Sequence, residues 1–209
     1  IKPLFYYYDK NKLIFASEIK SILPLIENEP NYNIIYDYLM FNRTDHSENT
    51  FFKNIKRLNP GSLMEISNKG NLIIKKWYDL NDKINLLKYL PYDDFRDLFK
   101  DSLRLRLRSD VPVGVQLSGG IDSSSIVSSL VSDFKITDLN TFSAIYKDDD
   151  PNDESEYIFE YKNIIKNLFT TFPTADSLYN EFEDLIEVHT EPFPGVGNYI
   201  QYKVMEAAH

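Results

Sequence analysis

The chain contains no cysteine, which excludes a disulfide scaffold, thiolate metal sites and thiol catalysis within these 209 residues. Its three histidines, His46, His189 and His209, lack the H-E-x-x-H spacing of a zinc site. No apolar run approaches the roughly 18 residues of a membrane span, and no charged-then-apolar leader opens the chain. We therefore expect no membrane partner and a cytoplasmic location.

Positive charge is scarce, because 23 Lys and Arg stand against 32 Asp and Glu and the net charge is −9. Binding to a nucleic-acid backbone depends on clustered Lys and Arg, so we expect no nucleic-acid partner. A single nucleotide is not excluded, since backbone N–H groups and a metal ion hold phosphate without an overall positive field. With 43% hydrophobic residues the chain can bury one large or two small cores.

The sequence pattern changes near residue 80. Before it, short aromatic or β-branched runs separated by turn formers predict strands and hairpins at residues 4–8, 13–16, 62–66 and 72–77, with a helix at 34–41. Residues 81–90 have no clear pattern and precede Pro91, which favours a linker there. Apolar residues at helical spacing predict a helix over 92–108 at the start of the second half.

The most informative segment is residues 111–124. Val113, Val115 and Leu117 occupy alternate positions of a short apolar run, which predicts a buried strand of a parallel sheet. From Ser123 onward the apolar residues recur at helical spacing, so residues 119–122 are predicted to form the turn between strand and helix.

This turn has the composition of a phosphate site. Gly119 and Gly120 suit a tight turn and allow bare backbone to approach an anion. The N–H groups at the start of the following helix point at such a ligand, and the helix dipole favours its negative charge. Because the segment lacks the G-x-x-x-x-G-K-[ST] spacing, it is not the usual P-loop, and Ser118, Ser123 and Ser124 supply hydroxyl groups where that loop has a lysine.

Asp122 places a carboxylate inside this anion site. It would repel phosphate unless a hard cation bridged the two, and Mg²⁺ is the usual bridge. The alternative is a serine-rich N-cap on an ordinary helix, with Asp122 favoured by the helix dipole. The strand before the turn and the helix after it favour the phosphate site.

A second strand and helix follow, predicted at residues 139–146 and 157–168. Strands that alternate with helices imply a doubly wound parallel sheet, in which ligands bind at the carboxyl ends of the strands. Between them, the acidic residues 148–150, Asp153 and Glu154 would hold a second metal ion or form a solvated loop that leads into the N-cap of the next helix, and we favour the second interpretation.

The residues S-G-G-I-D-S at 118–123 resemble the signature loop of the ATP pyrophosphatases, which split ATP between its first and second phosphates. The neighbouring stretches 106–114, 141–143 and 153–157 narrow the resemblance to glutamine-dependent asparagine synthetase. Residues 1–6, 15–20 and 55–61 are similar to late strands of that family's glutaminase domain, and residues 191–202 to a segment midway through its synthetase domain.

The resemblance implies an α/β fold: a β-rich remainder of an N-terminal-nucleophile glutaminase domain at 1–80, a linker at 81–90, and the N-terminal part of a doubly wound ATP-pyrophosphatase domain at 91–209. It implies ATP and Mg²⁺ as cofactors, aspartate and glutamine as further substrates, and leaves a homodimer open. Asp122 would be the metal ligand. The implied ATP-binding residues are Leu117, Ser118, Gly119, Gly120, Asp122, Ser123, Ser124 and Ala144.

The implied activity is ATP-dependent asparagine synthesis from aspartate and glutamine-derived ammonia, through an aspartyl-adenylate with pyrophosphate release. The family's catalytic cysteine, at the mature N-terminus, and its second nucleotide-binding stretch are both expected to lie outside this chain. We therefore assign it no catalytic residue and expect the fragment alone to be inactive. Two alternatives stay open: a related amide-forming synthetase of the β-lactam synthetase or peptide cyclase type without glutaminase activity, and a non-catalytic module that retains the fold.

Overall fold

The computed structural model of the protein describes residues 2–9, 11–84, 92–146 and 153–209. The chain divides into two compact units, Ile1–Lys88 with Ile186–Pro194, and Tyr89–Leu185 with Gly195–His209. Among the described helices, none combines the length and the apolar character needed to cross a membrane.

The first unit is built on an antiparallel sheet. Strands β1 (Phe5–Tyr8) and β2 (Leu13–Ala16) form a hairpin, and β3 (Ile55–Arg57) pairs with the other side of β1. Two single turns of 3₁₀ helix and helix α1 (Tyr32–Phe41) separate β2 from β3. The core of this unit consists of Phe5, Ile19, Ile22 and Ile55.

A second hairpin follows, formed by β4 (Ser62–Ile66) and β5 (Leu72–Lys76). The strands predicted at residues 4–8, 13–16, 62–66 and 72–77 and the helix at 34–41 are thus confirmed, with ends that differ by at most two residues. Helix α2 (Leu80–Ile84) occupies the first four positions of the segment predicted as a linker. The remaining positions of that segment and Pro91 lie outside the described residues.

The second unit contains the parallel sheet. Helix α3 (Tyr92–Arg106) precedes β6 (Gly114–Gln116), α4 (Ile121–Ser132) and β7 (Asn140–Ala144). The remaining elements are α5 (Ser155–Phe159), one 3₁₀ turn, β8 (Asn167–Thr171), α6 (Ala175–Asn180), α7 (Phe182–His189) and α8 (Gly197–Ala208). The boundary between the two units falls within α7.

Strands β6, β7 and β8 pair in parallel and in chain order, which confirms a mixed α/β fold with a parallel sheet. One apolar core joins these elements. It contains Leu117 after β6, Val127 of α4, Ile145 after β7 and Ile158 of α5. Phe142 faces the opposite side of the sheet from its neighbours on β7 and stacks on a ring of β8. Helix α8 contacts β7 and β8.

Three local predictions in this unit are corrected. The helix expected over 157–168 ends at Phe159, continues as one 3₁₀ turn, and gives way to β8, because the β-favouring residues 167–171 pair with β7. Helix α4 begins at Ile121 rather than Ser123. Val113 is 37% exposed rather than buried, since it precedes β6, which lies at an edge of the described sheet.

The segment Ile186–Pro194 is held to the first unit by a half-buried carboxylate. Glu191 Oε1 accepts a hydrogen bond of 2.8 Å from the Phe51 amide, and Glu191 Oε2 lies 3.7 Å from the Arg57 guanidinium. The Tyr38 hydroxyl donates to the Phe193 carbonyl at 2.7 Å. Burial raises the pKa of Glu191 above its ordinary 4.5, and the Phe51 amide and Arg57 only partly offset this effect.

This raised pKa predicts a pH-dependent contribution to stability. The folded chain keeps the Glu191 proton at a pH where the unfolded chain has lost it, so the contribution is present below pH 4.5 and is lost as the pH rises through the raised value. Glu191→Gln keeps an oxygen for the Phe51 amide and removes the titration. We expect this variant to gain stability relative to the unsubstituted protein as the pH rises, measured by chemical unfolding from about pH 4 to 7.

Glu187→Gln is the matched control, because it removes an exposed carboxylate from the same segment. Its stability relative to the unsubstituted protein should not follow the same trend. A constant difference between Glu191→Gln and the unsubstituted protein across the pH range would contradict the prediction.

Candidate nucleotide-binding site

The loop between β6 and α4 continues the sheet for one residue and then turns sharply. The Leu117 amide donates to the Phe142 carbonyl of β7 at 3.0 Å, so this position is still tied to the sheet. Gly119 then adopts a φ of +90°, and Gly120 occupies the N-cap position of α4 with extended backbone. The turn is therefore made by residues 118–120, before the helix begins.

Gly119 is required for two reasons. Its φ lies in a region that residues with a side chain rarely adopt. A Cβ atom at this position would also lie 2.8 Å from the Glu154 backbone oxygen and 2.7 Å from the Glu154 Cβ. The residues just before α5 thus define the space that the loop occupies.

Serine hydroxyls hold the loop from within. The Ser118 amide donates to Ser123 Oγ at 3.1 Å, and the two hydroxyl oxygens are 3.0 Å apart. The Gly120 amide donates to Ser118 Oγ at 3.3 Å, while Ser124 Oγ donates to the Gly119 carbonyl at 3.3 Å. In this state the Ser124 proton serves the loop, so the predicted role as a donor to phosphate requires its hydroxyl to rotate.

The first turn of α4 presents free donors. Within the described part of the chain, the amides of Ile121, Asp122 and Ser123 have no hydrogen-bond partner, as expected for the first residues of a helix. The Asp122 side chain lies in the same turn and is exposed. This end of α4 therefore combines unpaired N–H groups, the positive end of a helix dipole and one carboxylate.

A cleft of about 220 Å³ opens beside the loop, at the carboxyl ends of β6 and β7. Leu117 and Ser118 form its wall on the β6 side, Ser143 and Ala144 form its wall on β7, and Ile200 and Val204 contribute the α8 side. Position at the carboxyl ends of parallel strands is typical of ligand sites in open α/β sheets.

The structure brings three of the predicted residues, Leu117, Ser118 and Ala144, to the cleft itself. The Leu117 side chain is fully buried in the core, so only its backbone is available to a ligand. The other five predicted residues form the adjoining turn and the first turn of α4: Gly119, Gly120, Asp122, Ser123 and Ser124.

Sequence reasoning missed the α8 wall of the cleft and Ser143. Ile200 and Val204 are at least 80 positions from the loop in the sequence, so no local pattern connects them to it. Ser143 had a usable signal, because strand alternation sets a hydroxyl where the core would take an apolar side chain.

Of the acidic residues after β7, Asp153 and Glu154 are described by the structure, whereas 148–150 lie outside the described residues. Asp153 accepts hydrogen bonds from the Ser155 hydroxyl and, at 3.0 Å, from the Tyr146 amide, and these bonds lower its pKa. Glu154 occupies the N-cap position of α5, but its side chain makes no capping hydrogen bond. The described end of the acidic segment, Asp153 and Glu154, therefore leads into the N-cap of α5, as the favoured interpretation predicts.

No group of three acidic, histidine or cysteine side chains able to hold a metal ion occurs among the described residues. Asp122 is the only metal ligand predicted here. Mg²⁺ is commonly held by one or two carboxylates together with substrate phosphate oxygens, so a single protein carboxylate beside a phosphate site fits this ion.

Glu181 fixes the helix that closes the cleft. It accepts hydrogen bonds from the Tyr199 hydroxyl at 2.9 Å and from Lys203 Nζ at 3.1 Å. Burial alone would lower the pKa of Lys203, but the hydrogen bonds to Glu206 and Glu181 outweigh it and raise the pKa to about 12. Lys203 therefore stays charged at neutral pH and keeps α8 in place.

Comparison with known proteins assigns the two halves of the chain to two families. Residues 94–209 match the family described as Asparagine synthase, and residues 1–78 match the family described as Glutamine amidotransferase domain. The chain belongs to the asparagine synthase family.

Three relatives illustrate the range of similarity. The putative asparagine synthetase [glutamine-hydrolyzing] 2 of Methanocaldococcus jannaschii is 31% identical over 230 residues, which cover all of this chain and 41% of that protein. Asparagine synthetase [glutamine-hydrolyzing] 1 of Bacillus subtilis is 35% identical over 130 residues, 61% of this chain and 20% of that protein. Amidase chry2 of Gibberella zeae is 35% identical over 132 residues, 60% of this chain and 19% of that protein. The chain thus spans less than half the length of each of them.

The Gly119 geometry predicts a large loss of stability in the Gly119→Ala variant. We expect a cost of about 1–3 kcal/mol from the strained backbone, and more from the contact with the Glu154 carbonyl. Gly195→Ala is the control, because a Cβ atom at that position would have no other atom within 4 Å and the φ there is not positive. Thermal unfolding measures both, and equal transition temperatures for the two variants would contradict the prediction.

Proposed function

We propose that the whole protein that contains this chain is a glutamine-hydrolysing asparagine synthetase, and that residues 91–209 carry the first part of its doubly wound ATP-pyrophosphatase domain. The observation that carries this proposal is the cleft at the carboxyl ends of β6 and β7, bordered by Ser118 and Ala144 and adjoining the unpaired amides of α4. Membership of the asparagine synthase family supports it.

The pyrophosphoryl end of ATP would bind at the start of α4. The amides of Ile121 and Asp122 would donate to phosphate oxygens, and the helix dipole would favour their charge. Ser118, Gly119, Gly120, Ser123 and Ser124 would line this end, while Leu117 and Ala144 would offer backbone groups to the nucleotide. Asp122 would hold Mg²⁺, which neutralises phosphate charge when it is bound.

The proposed reaction begins when a side-chain oxygen of aspartate bonds to the α-phosphorus of ATP. The bond from this phosphorus to the bridging oxygen breaks, and pyrophosphate leaves with the electron pair. Ammonia then attacks the acyl carbon of the aspartyl-adenylate, AMP departs, and the nitrogen loses a proton to give asparagine. The described residues would act on the first step, because donors at the start of α4 stabilise the charge that develops on pyrophosphate.

Residues 1–80 would be the remainder of the N-terminal-nucleophile glutaminase domain that supplies the ammonia. The match of residues 1–78 to a glutamine amidotransferase domain supports this assignment. We expect residues 81–90 to link it to the synthetase domain. We further propose that the whole protein is a cytoplasmic enzyme that uses aspartate, glutamine and ATP. We also expect it to assemble as a homodimer.

A related amide-forming synthetase without glutaminase activity is the second candidate. The match to proteins with different names, among them Amidase chry2, favours keeping it, because this stretch occurs in enzymes that are not called synthetases. The two candidates differ in acceptor and nitrogen source. Asparagine formed from aspartate and glutamine by the full-length protein would favour the first, and no product with aspartate from either glutamine or ammonium would favour the second.

The role of Asp122 predicts a selective loss in the Asp122→Asn variant of the full-length protein. With ATP, aspartate and ammonium present, pyrophosphate release should fall roughly 100-fold, because a charge-stabilising group at the reacting phosphates is removed. Higher Mg²⁺ concentrations should restore part of the rate if the loss reflects weaker metal binding.

Asp176→Asn is the matched control, since Asp176 is also an exposed acid in the first turn of a helix, α6. It should leave pyrophosphate release unchanged. An Asp122→Asn protein with unaltered turnover and unaltered Mg²⁺ dependence would remove Asp122 from the proposed site.

A further inference from the structure

Ser143 carries a buried hydroxyl that the chain itself does not satisfy. The residue is 2% exposed, and its Oγ atom has no hydrogen-bond partner within the described part of the chain. Thr141, two positions earlier on β7 and fully buried, makes the useful comparison, because its Oγ1 donates to the Asn167 carbonyl of β8 at 3.1 Å. The two hydroxyls share one face of the strand, and only that of Ser143 is left unpaired.

A buried hydroxyl without a partner destabilises the fold, whereas an apolar side chain of similar size at that position would not. The position of Ser143 explains why a hydroxyl is present there, since Ser143 lines the cleft beside the phosphate loop and Thr141 does not. The unpaired hydroxyl and its position at the cleft together indicate that Ser143 forms a hydrogen bond with a ligand bound there.

The positions of β6 and β7 indicate which part of a nucleotide would lie next to Ser143. The loop with the unpaired amides follows β6, so the phosphates belong to that side of the cleft. Strand β7 is the next strand along the sheet, roughly 5 Å away. A group bonded to the phosphates and extending over β7 is the nucleoside.

We propose that the Ser143 hydroxyl forms a hydrogen bond with the nucleoside part of the nucleotide bound in this cleft. The inference rests on the proposed function, and it adds a side-chain contact to a site otherwise assigned to backbone groups and to the phosphate loop. Ser143 is a binding residue in this account and has no part in bond making or breaking.

The test compares the binding of two ligands to the full-length protein by calorimetry. Ser143→Ala should weaken the binding of Mg-ATP roughly 3- to 10-fold, the effect of one neutral hydrogen bond. It should leave the binding of Mg-pyrophosphate, which has no nucleoside, unchanged. The ligand-free variant should unfold at or above the temperature of the unsubstituted protein, because the substitution removes an unpaired hydroxyl.

Thr141→Val is the control: it removes the paired hydroxyl from the same strand face, so it should lower the unfolding temperature and leave both affinities unchanged. The inference is overturned if Ser143→Ala binds Mg-ATP as tightly as the unsubstituted protein, or if it loses affinity for both ligands equally. If the folded, unsubstituted protein binds neither ligand, the proposed nucleotide site itself fails.

Discussion

The main chain at Glu154 comes so close to Gly119 that no side chain fits between them, and the shape of the loop between β6 and α4 depends on this contact. The backbone of Gly119 must turn through a positive φ at this point. Serine hydroxyls then tie the two ends of the turn together. Because these internal bonds fix the loop, the first amides of α4 are left to face a ligand rather than to stabilise the turn.

The cleft beside the loop depends on contacts between residues far apart in the sequence. Parallel pairing of β6 with β7 sets Ser118 and Ala144 at the same edge of the sheet. Glu181 holds α8 over that edge through Tyr199 and Lys203. The proposed anion site at the turn and the start of α4 thereby gains two further walls, which a nucleotide needs and a free phosphate does not.

Local patterns in the sequence were sufficient for much of the fold. The alternating runs of the first half and the parallel sheet of the second were predictable, because strand period and turn residues are local signals. The helix expected over 157–168 was wrong at its C-terminal end for a physical reason: the apolar spacing suits a helix, but pairing with β7 stabilises residues 167–171 as a strand. Tertiary pairing of this kind overrides local preference.

The candidate site also has a part that the sequence predicts and a part that only the structure shows. The predicted phosphate loop comes from one continuous motif, and the structure gives it a positive-φ glycine and a helix start. The contributions of Ile200 and Val204 could not be predicted, since no local pattern around them marks a cleft. Ser143 is intermediate, because its polarity on a core-facing position is visible in the sequence, whereas its lack of a partner is visible only in three dimensions.

The obstacle at Gly119 includes a carbonyl oxygen, which every amino acid carries, so exchanging Glu154 for a smaller residue does not create room for a side chain. The demand for glycine at 119 therefore does not depend on which amino acid stands at position 154. This contact constrains the identity of one residue and leaves the side chain of its neighbour unspecified.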